Sequence, residues 1–170
     1  RLKQFEKELG LISSWITDVE QRNYFQRTSV FASRMSTARK IECGIAGQIP
    51  QSVARDELAK DLRKTRRFLQ NTHRAREICN AAYIPIEIAR QQKLFDEIES
   101  HPLTDEQRKS VVVDEDANLV VAAAGSGKTS VIVAKAAWLL SKKLRKPDEL
   151  LLLAFARDAR IEMATRLKER

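Results

Sequence analysis

Cysteine and histidine are scarce in this chain: Cys43 and Cys79 stand far apart, and His73 and His101 are isolated. With no C-x-x-C pair and no clustered histidines, neither a zinc site nor a disulfide framework is expected. The two thiols read as ordinary reduced side chains of a cytoplasmic protein. Long apolar runs are missing as well. None approaches the roughly 20 residues needed to cross a bilayer, so no membrane partner is expected. No signal-peptide pattern opens the sequence. The chain starts on Arg1 rather than methionine and stops at Arg170 within a helical pattern, which leads us to expect a piece of a longer protein.

What is present is charge and helical periodicity. The 170 residues suffice for one ordinary domain, or a domain with an extension. Against 23 acidic side chains stand 31 Lys and Arg, a net charge of +8, which makes a polyanion a plausible partner. The excess is spread along the chain, and a diffuse excess fits solvated helix faces as well as it fits a nucleic-acid groove.

Residues 1–100 read as helical. Leu2, Phe5, Leu9, Ile12, Trp15 or Ile16, and Val19 recur at spacings of three and four, the mark of one amphipathic face. Val30, Phe31, Met35, Ala38 and Ile41 mark a second helix, and the Gly- and Pro-containing stretch from Gly44 to Pro50 reads as a loop. A long charged helix is expected from about Ser52 to Ala82, with Leu58, Leu62, Leu69 and Ile78 as a sparse stripe. Pro85 should interrupt it, and Ile88, Leu94, Phe95 and Ile98 suggest a further short helix. So narrow a stripe on so charged a helix predicts a hairpin or coiled-coil arm. The run Arg63-Lys64-Thr65-Arg66-Arg67 reads as a solvated helix face.

The character changes at His101-Pro102, which divides a helical arm (1–100) from an α/β region (101–170). An apolar run reaches Ala122, and Ala122-Ala123-Ala124-Gly125-Ser126-Gly127-Lys128-Thr129 leads into a helical pattern from Lys128, with Ser130 in its first turn. This is a phosphate-binding loop in its expected strand–loop–helix setting. Gly125 and Gly127 can turn successive N–H groups round a phosphate, and the positive end of the next helix faces the same anion. Lys128 supplies a cation for the terminal phosphates, and the Thr129 hydroxyl can ligate the accompanying Mg2+. Asn118–Ala122 and Leu150–Phe155 read as buried parallel strands, with helices from Lys128 to about Lys143 and from about Asp158. The expected fold class is therefore α/β: a helical N-terminal arm followed by the start of a parallel sheet, incomplete because only two strands are present.

Two more residues bear on the loop. The Gln107 amide, in Leu103-Thr104-Asp105-Glu106-Gln107, offers a donor and an acceptor that match the N6/N7 edge of adenine. Phe155 ends the second strand, where ligands of open α/β sheets lie. Its ring either stacks on a base or packs as core beneath the next helix.

Together, Leu103-Thr104-x-x-Gln107, the loop at 124–129, and Leu152-Leu153-Ala154-Phe155 with Glu162-Met163 resemble the superfamily 1 helicases of the UvrD/Rep type, whose motor is a RecA-like domain. The junction Leu94-Phe95-Asp96-x-Ile98-Glu99-x-x-Pro102-Leu103-Thr104 is most similar to the helicase IV branch of that group. The resemblance implies a motor coupling ATP hydrolysis to movement along single-stranded DNA. It also implies roles: Gln107 reads adenine, residues 122–130 hold the nucleotide with Lys128 as the catalytic cation and Thr129 on Mg2+, and Phe155 with Arg157 touches DNA. Ala154-Phe155-Ala156-Arg157 stands where such enzymes typically have Thr-Phe-Thr-Asn, exchanging hydroxyls for a cation within reach of a phosphate. Two rival readings use the same loop: a UvrD-like ATPase that remodels RNA polymerase, and a helical protein-interaction arm attached to the motor.

No Asp-Glu pair follows the loop at a strand end to hold Mg2+ and orient water, and Asp114-Glu115-Asp116 precedes it as a turn. We therefore expect the 170-residue chain to bind nucleotide weakly without hydrolysing it. Steady-state phosphate release from the purified chain should stay at background, and turnover at the rate of a complete helicase would refute this.

Overall fold

Apolar residues three and four apart give α1 (Leu2–Gln21) one buried face of Leu9, Ile12, Trp15, Ile16 and Val19. A computed structural model of the protein describes residues 2–45 and 56–168. Most of the loop expected through Pro50 lies outside the described residues, as do the side chains of Leu2 and Phe5 and the expected helix start at Ser52. The chain divides into two compact units, Arg1–Tyr83 and Ile84–Arg170.

In the first unit α1 packs with α2 (Thr28–Ile45) and α3 (Asp56–Gln70). Met35, Ala38, Ile41, Leu58 and Phe68 close the core against α1. Gly44 and Ile45, expected in a loop, are the last residues of α2. The Trp15 ring meets Phe31 and Phe68 edge-on, at centroid distances of 5.4 and 5.5 Å. Such contacts add about 0.5–1.5 kcal/mol each beyond area burial. Its indole N–H donates to Gln26 Oε1 at 3.1 Å, and Gln26 exchanges backbone bonds with the Asn80 amide at 2.6 and 3.0 Å. Each buried polar group of this cluster thus has a partner.

The long charged helix is not continuous. α3 ends at Gln70, a 3-10 turn covers Thr72–Arg74, and α4 runs Ala75–Arg90. Asn71 causes the break: its backbone leaves helical angles, its N–H donates to Phe68 O, and its amide donates to Arg67 O, both at 3.0 Å. An Asn side chain competing for the last carbonyls ends a helix in this way. Conversely, Pro85 does not interrupt. It sits inside α4, although an interior proline costs about 3 kcal/mol. Glu87, two residues on, is wholly buried and hydrogen-bonded, which holds that turn helical.

The second unit is built from the end of α4, α5 (Gln92–Glu97), α6 (Asp105–Val112), α7 (Lys128–Ser141) and α8 (Arg157–Lys168). Phe95, Ile98, Leu103, Val111, Val112 and Trp138 form its core. Full burial of a side chain the size of Phe95 contributes about 1.5–3 kcal/mol.

The α/β expectation is overturned here. Among the described residues there is no strand and no sheet, and the regular structure is helical. The segments Asn118–Ala122 and Leu150–Phe155 carry no regular structure and belong to no ladder. An extended segment becomes a strand only by exchanging backbone hydrogen bonds with a neighbour, and these two flank a cavity of about 330 Å³ instead, which Val120 and Leu152 both line. Nor are they buried on both faces. Leu119, Val121, Leu151 and Leu153 are each at least 80% exposed, while Leu150, Leu152 and Ala154, alternating with them, are half-buried. The continuous apolar pattern suggested cover on two sides, and helices cover only one.

Two ion clusters of this unit escaped the sequence reading. Glu87 accepts from the Trp138 indole N–H at 3.1 Å and pairs with Lys142 at 3.2 Å. Lys135 donates to Val111 O and Val113 O at 2.7 and 2.8 Å, lies 3.5 Å from Asp114, and sits 4.6 Å from the centroid of the Trp138 ring. A cation on the last carbonyls of a helix satisfies acceptors that have no donor within the helix. Lys135→Ala should lower the stability of this unit by about 1–3 kcal/mol, the cost of leaving such groups unpaired. Urea unfolding followed by Trp138 emission in a Trp15→Phe background reads it, and an unchanged midpoint would contradict the clamp.

Candidate functional site

The site begins at Thr104, the N-cap of α6. Its hydroxyl accepts from the Gln107 N–H at 3.4 Å, while Gln107 Oε1 accepts from the Thr104 N–H at 2.8 Å. This is a reciprocal capping box, and its signature, Thr-x-x-Gln ahead of an apolar pair, stands in the sequence. Bonds from its own backbone N–H and from the Thr104 hydroxyl hold the exposed Glu106 carboxyl below the usual range. Both ends of the Gln107 amide are engaged, for Nε2 donates to Ser126 O at 3.1 Å. Gln107 therefore ties the start of α6 to the loop.

The loop closes through the Ser126 N–H on Ala123 O at 3.3 Å. Gly125 and Gly127 have φ of 75° and 80°, left-handed angles that glycine adopts freely. Gly127 is the N-cap of α7, whose first turn holds Lys128, Thr129 and Ser130 and no acidic residue. A 14-residue helix presents its positive end and unbonded N–H groups at this point. Lys128 folds back, donating to Ala122 O and Ala123 O at 3.2 and 2.6 Å. Ala122, Ala123, Ala124, Gly125 and Ser126 are exposed.

A cavity of about 270 Å³ is lined by Thr104, Glu106, Gln107, Ala122, Ser126 and Lys128, among others. The structure thus brings Gln107 and Lys128 to one hollow. Phe155 and Arg157 are not part of it. Phe155 is fully exposed, so its ring is not core under α8, and Arg157 is the exposed first residue of that helix. No cluster of three potential metal-ligating side chains occurs among the described residues, and Thr129, in the first turn of α7, carries a hydroxyl beside the loop.

The donor set suits an anion such as a phosphate: two left-handed glycines, a helix first turn free of acidic residues, and the Lys128 ammonium, with the Glu106 carboxylate on the wall of the same hollow. The glycine at 127 also leaves room for Gln107. A Cβ on Gly127 would stand 2.5 Å from Gln107 Nε2, whereas one on Gly125 would meet nothing within 4 Å.

Comparison with known proteins agrees in region. Residues 103–170 match the family of the UvrD/REP helicase N-terminal domain. The chain is 42% identical over 115 residues to DNA helicase IV of Escherichia coli K12, a match covering 68% of this chain and 17% of that protein. It is 42% identical over 65 residues to DNA helicase II of Salmonella typhimurium (38% of this chain, 9% of that one). A probable DNA helicase II homolog of Mycoplasma pneumoniae is 37% identical over 70 residues, or 41% of this chain and 10% of that one. The chain spans less than a fifth of the length of these curated relatives. The helicase IV match is too long to lie within 103–170, so it takes in part of the helical region as well. No solved structure matches the chain.

Both glycine-to-alanine changes force a side chain into left-handed angles, a cost of about 1–2 kcal/mol. Gly127→Ala should cost more than Gly125→Ala, because it also dislodges the Gln107 amide. Thermal unfolding of the two variants with and without Gln107→Ala separates the terms: the excess at Gly127 should vanish once Gln107 is removed.

Proposed function

We propose that this chain, whose residues 103–170 match the family of the UvrD/REP helicase N-terminal domain, is the nucleotide-binding part of an ATP-driven motor that moves on single-stranded DNA. The observation that carries this reading is the loop itself: Gly125 and Gly127 in left-handed angles, opening α7 with Lys128 at its mouth and Gln107 in the same hollow. In this reading the helical arm is residues 1–100 and the motor portion residues 101–170, with residues 84–100 packed in the same compact unit as the motor portion.

In this reading the N–H groups from Gly125 to Ser130 hold the β- and γ-phosphates. Lys128 gives up its bonds to Ala122 O and Ala123 O and turns onto the terminal phosphate. The Thr129 hydroxyl would be the side chain that holds Mg2+ at the loop. Gln107 exchanges Ser126 O and the Thr104 N–H for the adenine edge, so occupancy of the base site releases a tie on the loop. When bound, ATP–Mg2+ would supply a β–γ phosphoanhydride bond whose cleavage by water, in the complete motor, would drive translocation. Phe155 offers an unobstructed ring for stacking on a DNA base, and Arg157 beside it offers a cation to the backbone.

Lys128→Ala should weaken binding of a fluorescent ATP analogue by about 10- to 100-fold, the loss of a charge-assisted hydrogen bond. Phe155→Ala should weaken single-stranded DNA without changing nucleotide affinity, by about 1–3 kcal/mol for one stacked base. Fluorescence titrations of the purified chain measure both. Nucleotide affinity indifferent to Lys128 would sink the motor reading. Co-purification with RNA polymerase and no response to DNA would favour the remodelling alternative.

A further inference from the structure

The charged run in α3 is sorted by the fold in a way its spelling conceals. Thr65 is wholly buried. Lys64 turns inward, donating to Ser13 O at 3.0 Å and to the Thr17 hydroxyl. Asp61 also faces α1, accepting from the Ser13 hydroxyl at 2.6 Å. Left outside are Lys60, Arg63, Arg66 and Arg67, all exposed. At 100° per residue Lys60, Arg63 and Arg67 fall on one line opposite the buried Leu58, Thr65 and Phe68. Arg66 stands at the edge of that line, 3.4 Å from Glu42 of α2.

A solvated helix face ordinarily interleaves both signs, because oppositely charged neighbours three and four apart stabilise a helix and like charges destabilise it. Here Lys60 and Arg63 are three apart, and Arg63 and Arg67 four apart. Asp56 and Glu57 stand four and three places before Lys60, whereas neither Arg63 nor Arg67 has an acidic residue three or four places away along α3. The stripe therefore carries self-repulsion along about 10 Å of helix, at a rise of about 1.5 Å per residue. That length lies alongside about three phosphates of one DNA strand, spaced about 3.4 Å along the helix axis.

We propose that the outer face of α3, formed by Lys60, Arg63 and Arg67, is a second nucleic-acid surface, carried on the helical unit and directed at the phosphodiester backbone. Its chemistry is sequence-independent: point charges and guanidinium forks for phosphate oxygens, with no aromatic ring among them to stack a base. That the polyanion is DNA rests on the motor reading above. The charge pattern itself does not.

The test is the salt dependence of DNA binding by the full 170-residue chain, followed by anisotropy of a labelled single strand. The slope of log K against log salt should become shallower by about 2 in the Lys60→Ala, Arg63→Ala, Arg67→Ala variant, at about 0.7 per phosphate contact. Arg63→Lys with Arg67→Lys, which keeps the charge, should retain the parental slope. Far-UV helicity and Trp15 emission check that the alanine variant is folded. Nucleotide affinity should be unchanged in both variants, so a chain that fails to bind nucleotide sinks the motor reading while the slope still judges the stripe. An RNA strand responding like the DNA strand supports backbone recognition. An unchanged slope in the folded alanine variant overturns the proposal. So does absence of DNA binding, or a stripe-dependent preference for polyglutamate over DNA, which would assign the face to an acidic protein.

Discussion

The candidate site depends on α6 being held against α7, and one ammonium group does much of the holding. Lys135 projects from α7 onto the final carbonyls of α6 while its charge rests near the Trp138 ring. Around it Val111, Val112 and Trp138 exclude water. At the opposite end of the same helix pair stands the Gln107 bond to Ser126 O. The polar clamp at one end fixes the register in which the amide at the other end meets the loop. Glu87, closing on Trp138 and Lys142, fixes the far side of α7. Remove this framework and the loop remains a glycine-rich turn, with no wall to make a hollow.

Much of the helical region was legible because it obeys one rule. The α1 face of Leu9, Ile12, Trp15, Ile16 and Val19 is buried as its spacing requires. What misled were single residues with two possible effects. Asn71 looked unremarkable inside a charged helix, yet its side chain and N–H together captured the carbonyls that would have propagated it. Pro85 looked decisive, yet buried contacts at Glu87 outweigh the local cost of a missing donor. Local propensity is a weak term wherever several kilocalories of tertiary contact act on the same turn.

The two expected strands failed for a different reason. Periodicity reports which faces are apolar, and Leu119 through Val121 and Leu150 through Leu153 are apolar on both. It does not report whether a partner is within reach, and a ladder is a property of two segments together. The loop between α6 and α7 was legible because its geometry is local: left-handed angles at Gly125 and Gly127 follow from residue type and from the helix that starts beside them. Gln107 stands between these cases. Its place near the loop followed from the motif, but its capping bond to Thr104 and its tie to Ser126 did not enter that reading, although Thr-x-x-Gln spells the first of them.

The junction that suggested helicase IV also acquires a physical account. Phe95, Ile98 and Leu103 are core residues, the Leu103 N–H donates to Phe95 O at 3.0 Å, and Asp96 pairs with Arg108 at 2.6 Å. Glu99 reaches Arg166 on α8 at 3.0 Å. The segment is thus a packed strap that delivers Thr104 to the start of α6. Its pattern records a mechanical demand: the cap must arrive where Gln107 can span from Thr104 to the loop. A likeness confined to the phosphate loop would be shared by any protein that cradles a phosphate on a helix end. A likeness that includes the strap also constrains how Gln107 is presented to that loop, which a likeness to the loop alone does not.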